Sequence, residues 1–205
     1  DRLANLNFSD AEFVKEIEVI KEERRMRTDD KPRAAMAEML HAVAFSASPY
    51  RRPVIGWMDD LQRMTAEDAR QFYRAWYEPA NAALVIVGDV QPAQVLAWAE
   101  KHYGSIRNRA AMPARKQSAE PPQRGLRRLQ YHAQAEQAMV SLAFKIPSFA
   151  ALGLSITDTS AIAQDIYALV MLAEVLGGYD GARLARHLGQ GKNRVADSVT
   201  AYAGL

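Results

Sequence analysis

Cysteine is absent from the 205 residues. That excludes disulfides, thiolate zinc ligands and cysteine nucleophiles, and it leaves cytoplasm and periplasm equally open. Long hydrophobic runs are missing too. The most apolar stretches, "AALVIVGDV" and "YALVMLAEVL", fall well short of the roughly 20 residues that span a bilayer, so no membrane span is expected. Nor does one sign of charge dominate: 26 Lys and Arg stand against 24 Asp and Glu, a net charge of +2. The basic clusters "EERRMR", "YRRP" and "RGLRR" have acids among or near them and no interleaved aromatics. They read as solvated surface, and nucleic acid is not expected as a partner. The opening "DRLANLNFSD" is polar, unlike a secretory signal, and the closing "TAYAGL" looks like the middle of a strand. With no initiator Met, the chain is expected to be an excised piece of something longer.

What is present is a 49% share of hydrophobic residues, enough to supply a core for one large or two modest domains. Ser9 with Glu12 three positions later forms a capping-box pattern and predicts a helix through about Arg27. A second helical pattern runs from Arg33 to about Ala47, followed by the irregular "SPYRRPVIG". Thr65 with Asp68 caps a helix that stops before Pro79, and "NAALVIVGDV" then reads as a buried strand. Pro92 opens a further helix that Gly104 closes. From 108 to 123 the chain is rich in proline and charge without periodicity, which predicts a linker. Beyond it, "LRRLQYHAQ" and "AMVSLAFKIP" read as an antiparallel pair of strands and "SFAALGLSITDTSAIAQ" as a loop. "DIYALVMLAEVLGG" reads as a helix with an Asp cap, "GARLARHLG" as a short helix and "RVADSVTAYAGL" as the start of a strand. The expected class is α+β, helices packed on a largely antiparallel sheet.

On the first helix Lys15, Glu18, Lys21, Glu22 and Arg25 form a solvated face opposite Phe13, Ile17 and Ile20. Glu16 and Glu23 lie about 20° apart on one face with Phe13 and Ile20 beside them, on the stripe expected to be buried rather than on that solvated face. A carboxylate taken out of water costs several kcal/mol unless it is paired or bound to a cation. The partner is either an arginine from a neighbouring element, such as Arg51, Arg52 or Arg63, or a divalent metal or metal-ligand histidine. Seven residues of helix separate the two Cα atoms by about 10 Å, so they cannot be equivalent ligands of one ion. His41, His102, His132 and His187 are scattered, and neither H-E-x-x-H nor H-x-x-E-H occurs. No G-x-S-x-G elbow, phosphate-binding loop or dinucleotide fingerprint is present either.

"FVKEIEVIKEERRMRTDDKPR", "AFSASPYRRPVIGWMDDLQRMTAEDARQFYRAWYEPANAALVIVGDV" and "AEKHYGSI" resemble, in order and spacing, the downstream half of the catalytic domain in the pitrilysin/insulinase family of zinc metallopeptidases. The rest of the chain is similar, more loosely, to the opening half of that family's next domain. The resemblance implies a fold of the mitochondrial-processing-peptidase type present as two partial domains: 1–107 from the first, 108–123 as linker and 124–205 from the second. It further implies that Glu23 falls on the third zinc ligand and Glu16 on the glutamate that supports the site from behind. The family's H-x-x-E-H helix, with its two histidine ligands and general base, is missing from this sequence. The expectation is therefore a fragment of a zinc-dependent endopeptidase acting on peptides or unfolded segments, inactive alone, with zinc held only in the complete protein. The rival is a non-catalytic peptide-binding or chamber-completing subunit of the same family. A homologous second half or paired subunit is the implied partner, and the periplasm is preferred on resemblance to bacterial secreted forms.

Overall fold

The computed structural model describes residues 2–109, 111, 113–114, 118–192 and 194–204. Parts of the expected linker, and Leu205 at the end of the expected last strand, lie outside them. The chain divides into two compact units, Asp1–Met139 and Val140–Leu205.

In the first unit a short helix α1 (Arg2–Asn5) precedes α2 (Asp10–Arg24). The α2 start is the expected capping box: Ser9 Oγ accepts from the Glu12 N–H, and the Glu12 carboxylate accepts from the Ser9 N–H at 2.7 Å. The Ser9 backbone N–H, and after it the Ser9 hydroxyl that donates to the same carboxylate, hold the Glu12 carboxyl below its ordinary range. The helix does not run unbroken to Arg27. It widens at Arg25–Asp29 into a π-helical turn, closed by the Asp30 N–H on the Arg25 carbonyl at 2.9 Å. α3 (Pro32–Ala44) starts on a proline, whose missing N–H costs nothing in a first turn. A 3-10 turn (Pro49–Arg51), α4 (Met58–Arg63) and α5 (Ala66–Trp76) follow. Thr65 and Asp68 cap α5 reciprocally, as the sequence predicts. After a second 3-10 turn at Pro79–Asn81 the unit ends its helices with α6 (Pro92–Tyr103). Gly104 ends α6 in an ordinary right-handed conformation. It is glycine for closeness, since a Cβ there would sit 2.5 Å from the Glu100 carbonyl oxygen.

The second unit holds α7 (Phe149–Leu152), α8 (Ala161–Gly177) and α9 (Arg183–Leu188). Thus the stretch expected to be a loop contains α7 and the first turn of α8. The cap of α8 is Ser160, five residues before the expected Asp165, because the Ser160 hydroxyl accepts from the Ala163 N–H. Phe149, Ala163 and Ile166 form the core with Leu154 against them, and the Phe149 and Tyr167 rings lie 5.2 Å apart. Gly177 lets residues 200–201 press on the end of α8: the Ala201 N–H donates to the Gly177 carbonyl at 3.2 Å, and a Cβ on Gly177 would meet Ala201 N at 2.4 Å.

The α+β expectation is overturned. Among the described residues no β-strand forms, and about half of the chain is helical. The stretches 82–90, 126–134, 138–147 and 194–204 carry the side chains of strands, but they form no strand ladder, and apolar pattern without a ladder makes no strand. Their side chains are correspondingly open, with Val87 91%, Val140 87%, Phe144 83% and Tyr202 90% exposed.

Candidate functional site

The helix that carries Glu16 and Glu23 buries Ile17 and Arg24, with Phe13, Ile20 and Lys21 half-buried between them. Glu16 and Glu23 each precede a buried residue by one position, so they stand about 100° round the helix from the centre of the buried stripe. Glu16 is exposed. Glu23 is half-open and pairs at 2.9 Å with Arg27, one turn along its own chain, rather than with Arg51, Arg52 or Arg63. The structure thus does not put the two carboxylates in the core. It leaves them on the shoulder of the helix, accessible to a group approaching from outside.

The buried charge on this helix is Arg24, 4% exposed. Its two terminal nitrogens take both oxygens of Glu38 on α3 at 2.9 and 2.8 Å, and one also donates to the Gly56 carbonyl at 2.8 Å. Asp29, at the end of the π turn, lies 3.2 Å away, and the Trp57 ring lies 5.8 Å from the guanidinium carbon. Glu38 raises the Arg24 pKa first through its hydrogen bonds, against the opposing effect of burial. Arg24 therefore ties α2, the π turn, α3 and the loop before α4 into one frame. Among the described residues its Nε–H meets no acceptor. Sequence reasoning placed the cluster "EERRMR" on the surface and missed this residue. The signal was available, since Phe13, Ile17, Ile20 and Arg24 are spaced i, i+4, i+7 and i+11, the same stripe of a helix.

Beside this frame lies an open pocket of about 200 Å³ lined by Ala37, Glu38, His41, Tyr50, Arg52 and Pro53. A second, of about 240 Å³, lies where Tyr77, Glu78 and Pro79 meet Ser105–Arg109 and α1. In it Glu78 is 1% exposed and accepts from the Arg109 backbone N–H at 2.9 Å and from its Nε at 2.8 Å. These bonds hold the Glu78 carboxyl below its ordinary range, the backbone N–H contributing most. Arg109 also covers the Tyr73 ring at 4.8 Å, and the Tyr73 hydroxyl donates to the Leu3 carbonyl while accepting from the Leu6 N–H. The carboxylate here is satisfied on every side, which makes it a clamp rather than a reactive group.

Comparison with known proteins gives a consistent picture. A family profile described as "Peptidase M16 inactive domain" matches residues 63–204. The zinc protease PqqE of Helicobacter pylori is 34% identical over 152 residues, covering 73% of this chain and 34% of that protein. An uncharacterized zinc protease of Mycobacterium leprae is 36% identical over 103 residues, covering 49% of this chain and 23% of its own length. A crystal structure of a protease from Helicobacter pylori superposes with a TM-score of 0.69 at 28% identity, over 93% of this chain and 44% of that one. The chain spans about a third or less of the length of these curated relatives.

Proposed function

Because the chain belongs to the peptidase M16, or pitrilysin/insulinase, family, we propose that it is part of a zinc-dependent endopeptidase acting on peptides or unfolded segments. The observation that carries this reading is the 34% identity over 152 residues to a protein named as a zinc protease. The ordered motifs that the sequence shares with the family add to it.

The described residues of this chain do not make a zinc site by themselves. Among the described residues no group of three or more His, Cys, Asp or Glu side chains could hold a metal ion, and Glu23 already has Arg27 beside it. One carboxylate is not a site, so no hydrolytic step is assigned to the chain alone. In the longer protein Glu23 is offered as the third ligand and Glu16 as its support, with the remaining ligands coming from an H-x-x-E-H segment that this sequence lacks. Their place on the open shoulder of α2 favours this assignment. In the same reading the boundary between the family's two domains falls at 108–123. This is upstream of the division between compact units, because Glu120 and Arg127 bond to residues of the first unit.

A second reading is favoured by the family description itself, an inactive domain. In it the chain belongs to a non-catalytic partner that binds peptide or completes a chamber. The two separate on zinc content and peptide hydrolysis of the longer protein that contains this chain, measured beside its Glu23→Gln variant. Stoichiometric zinc and activity, both lost in the variant, support the protease. A protein without zinc, indifferent to the substitution, makes it the non-catalytic partner.

A further inference from the structure

Three consecutive backbone N–H groups, those of Ser46, Ala47 and Ser48, converge on one carboxylate. Glu120 Oε2 accepts from them at 3.0, 2.8 and 2.8 Å, and Oε1 accepts from Ser46 again at 2.8 Å. Seven residues on, Arg127 answers the opposite polarity of the same segment. Its guanidinium donates to the Val43 carbonyl at 2.6 Å, the Ala44 carbonyl at 2.8 Å and the Ser46 hydroxyl at 2.8 Å. The two carbonyls belong to the last turn of α3, where no intrahelical donor is available and a cation is favoured. The N–H groups lie just before the 3-10 turn Pro49–Arg51, and with no carboxylate there they would have to find water.

Local sequence prepares the carboxylate. Glu120 is followed by Pro121 and Pro122, which bias it away from helix and fix the chain after it in an extended course. The expected linker therefore does not hang free at its end. It lies along the turn from α3 to the 3-10 segment and grips it by both ends. The gripped loop runs straight into Tyr50, Arg52 and Pro53, which wall the pocket beside Glu38 and His41.

We propose that residues 120–127 are a two-ended latch on the 43–48 segment, and that the three N–H groups are a carboxylate receptor that Glu120 fills from within the chain. The inference does not depend on zinc or on the protease reading. A carboxylate supplied from outside, such as an acidic peptide side chain, competes for the same three donors once Glu120 is displaced.

The test is amide hydrogen exchange on the 205-residue chain as wild type, Glu120→Gln, Glu120→Ala and Arg127→Ala. With the latch, the amides of residues 46–48 exchange at least about tenfold faster in Glu120→Ala, the factor that goes with losing a charge-assisted bond, while α5 amides keep their rate. Added acetate slows them again in Glu120→Ala and leaves wild type unchanged. Arg127→Ala, which keeps the carboxylate, loosens the same amides by a smaller factor and guards against a folding defect in the Glu120 variants. Wild-type rates at 46–48 in Glu120→Ala, or no response to acetate in that variant, would overturn the proposal.

Discussion

Burying a guanidinium costs several kcal/mol unless its donors are answered, and Arg24 answers all but one of them through Glu38, Gly56 and Asp29. Removing one member of such a pair leaves the other uncompensated. Glu38→Ala should therefore destabilise the first unit by about 3 kcal/mol, against near zero for the exposed pair partner Glu18→Ala, as read from urea unfolding followed by circular dichroism. Glu78 gives the acid side of the stability curve. Its carboxyl is held below the ordinary 4.5 by the Arg109 backbone N–H and side chain. A depressed pKa contributes stability that is complete above the unfolded value and is lost as pH falls through the folded one. Stability should thus decline below about pH 4.5, and Glu78→Gln should lower stability at pH 7 while making the acid slope shallower. An acid slope identical in the variant and wild type would remove Glu78 from the account.

Element ends were the most legible features of the sequence, because a cap is a local bargain between residues three apart. Both capping boxes, at Ser9 and Thr65, and the proline start of α6 stand where the pattern put them, while α3 begins on Pro32, one residue before the expected Arg33. The cap of α8 was misplaced because Asp165 offers the right chemistry at the wrong turn, while Ser160 lies inside a stretch whose polarity reads as loop. The π turn after Arg24 has no sequence marker, since it adds one residue to a helix without changing its composition. At the other end of α8, a contact rather than a propensity selects the residue. Gly177→Ala drives a methyl into the backbone of residues 200–201, and it should cost about 1–3 kcal/mol in thermal unfolding of the second unit. Gly153, in the left-handed conformation with nothing near its missing Cβ, should cost only about 1 kcal/mol as Ala.

At the scale of the whole molecule the open apolar stretches dominate. Val85 and Val87 in the first unit and Val140, Leu142 and Phe144 in the second are each at least 79% exposed, and exposed apolar side chains of this size favour association. The chain should self-associate at micromolar concentration in sedimentation, and the double variant Val87→Lys, Phe144→Lys should shift it toward monomer. By itself the sequence determined the helices α2, α3, α5 and α6, the caps at Ser9 and Thr65 and the kinship with a peptidase family, because each rests on neighbours in the chain or on ordered motifs. Only the tertiary structure decided that Arg24 rather than Glu16 or Glu23 is the buried charge on α2, that Glu78 is clamped by Arg109, and that apolar strand-like stretches stay unpaired. Those depend on which groups arrive from far along the chain: an ion pair needs its distant partner, and a strand needs a second backbone to bond to.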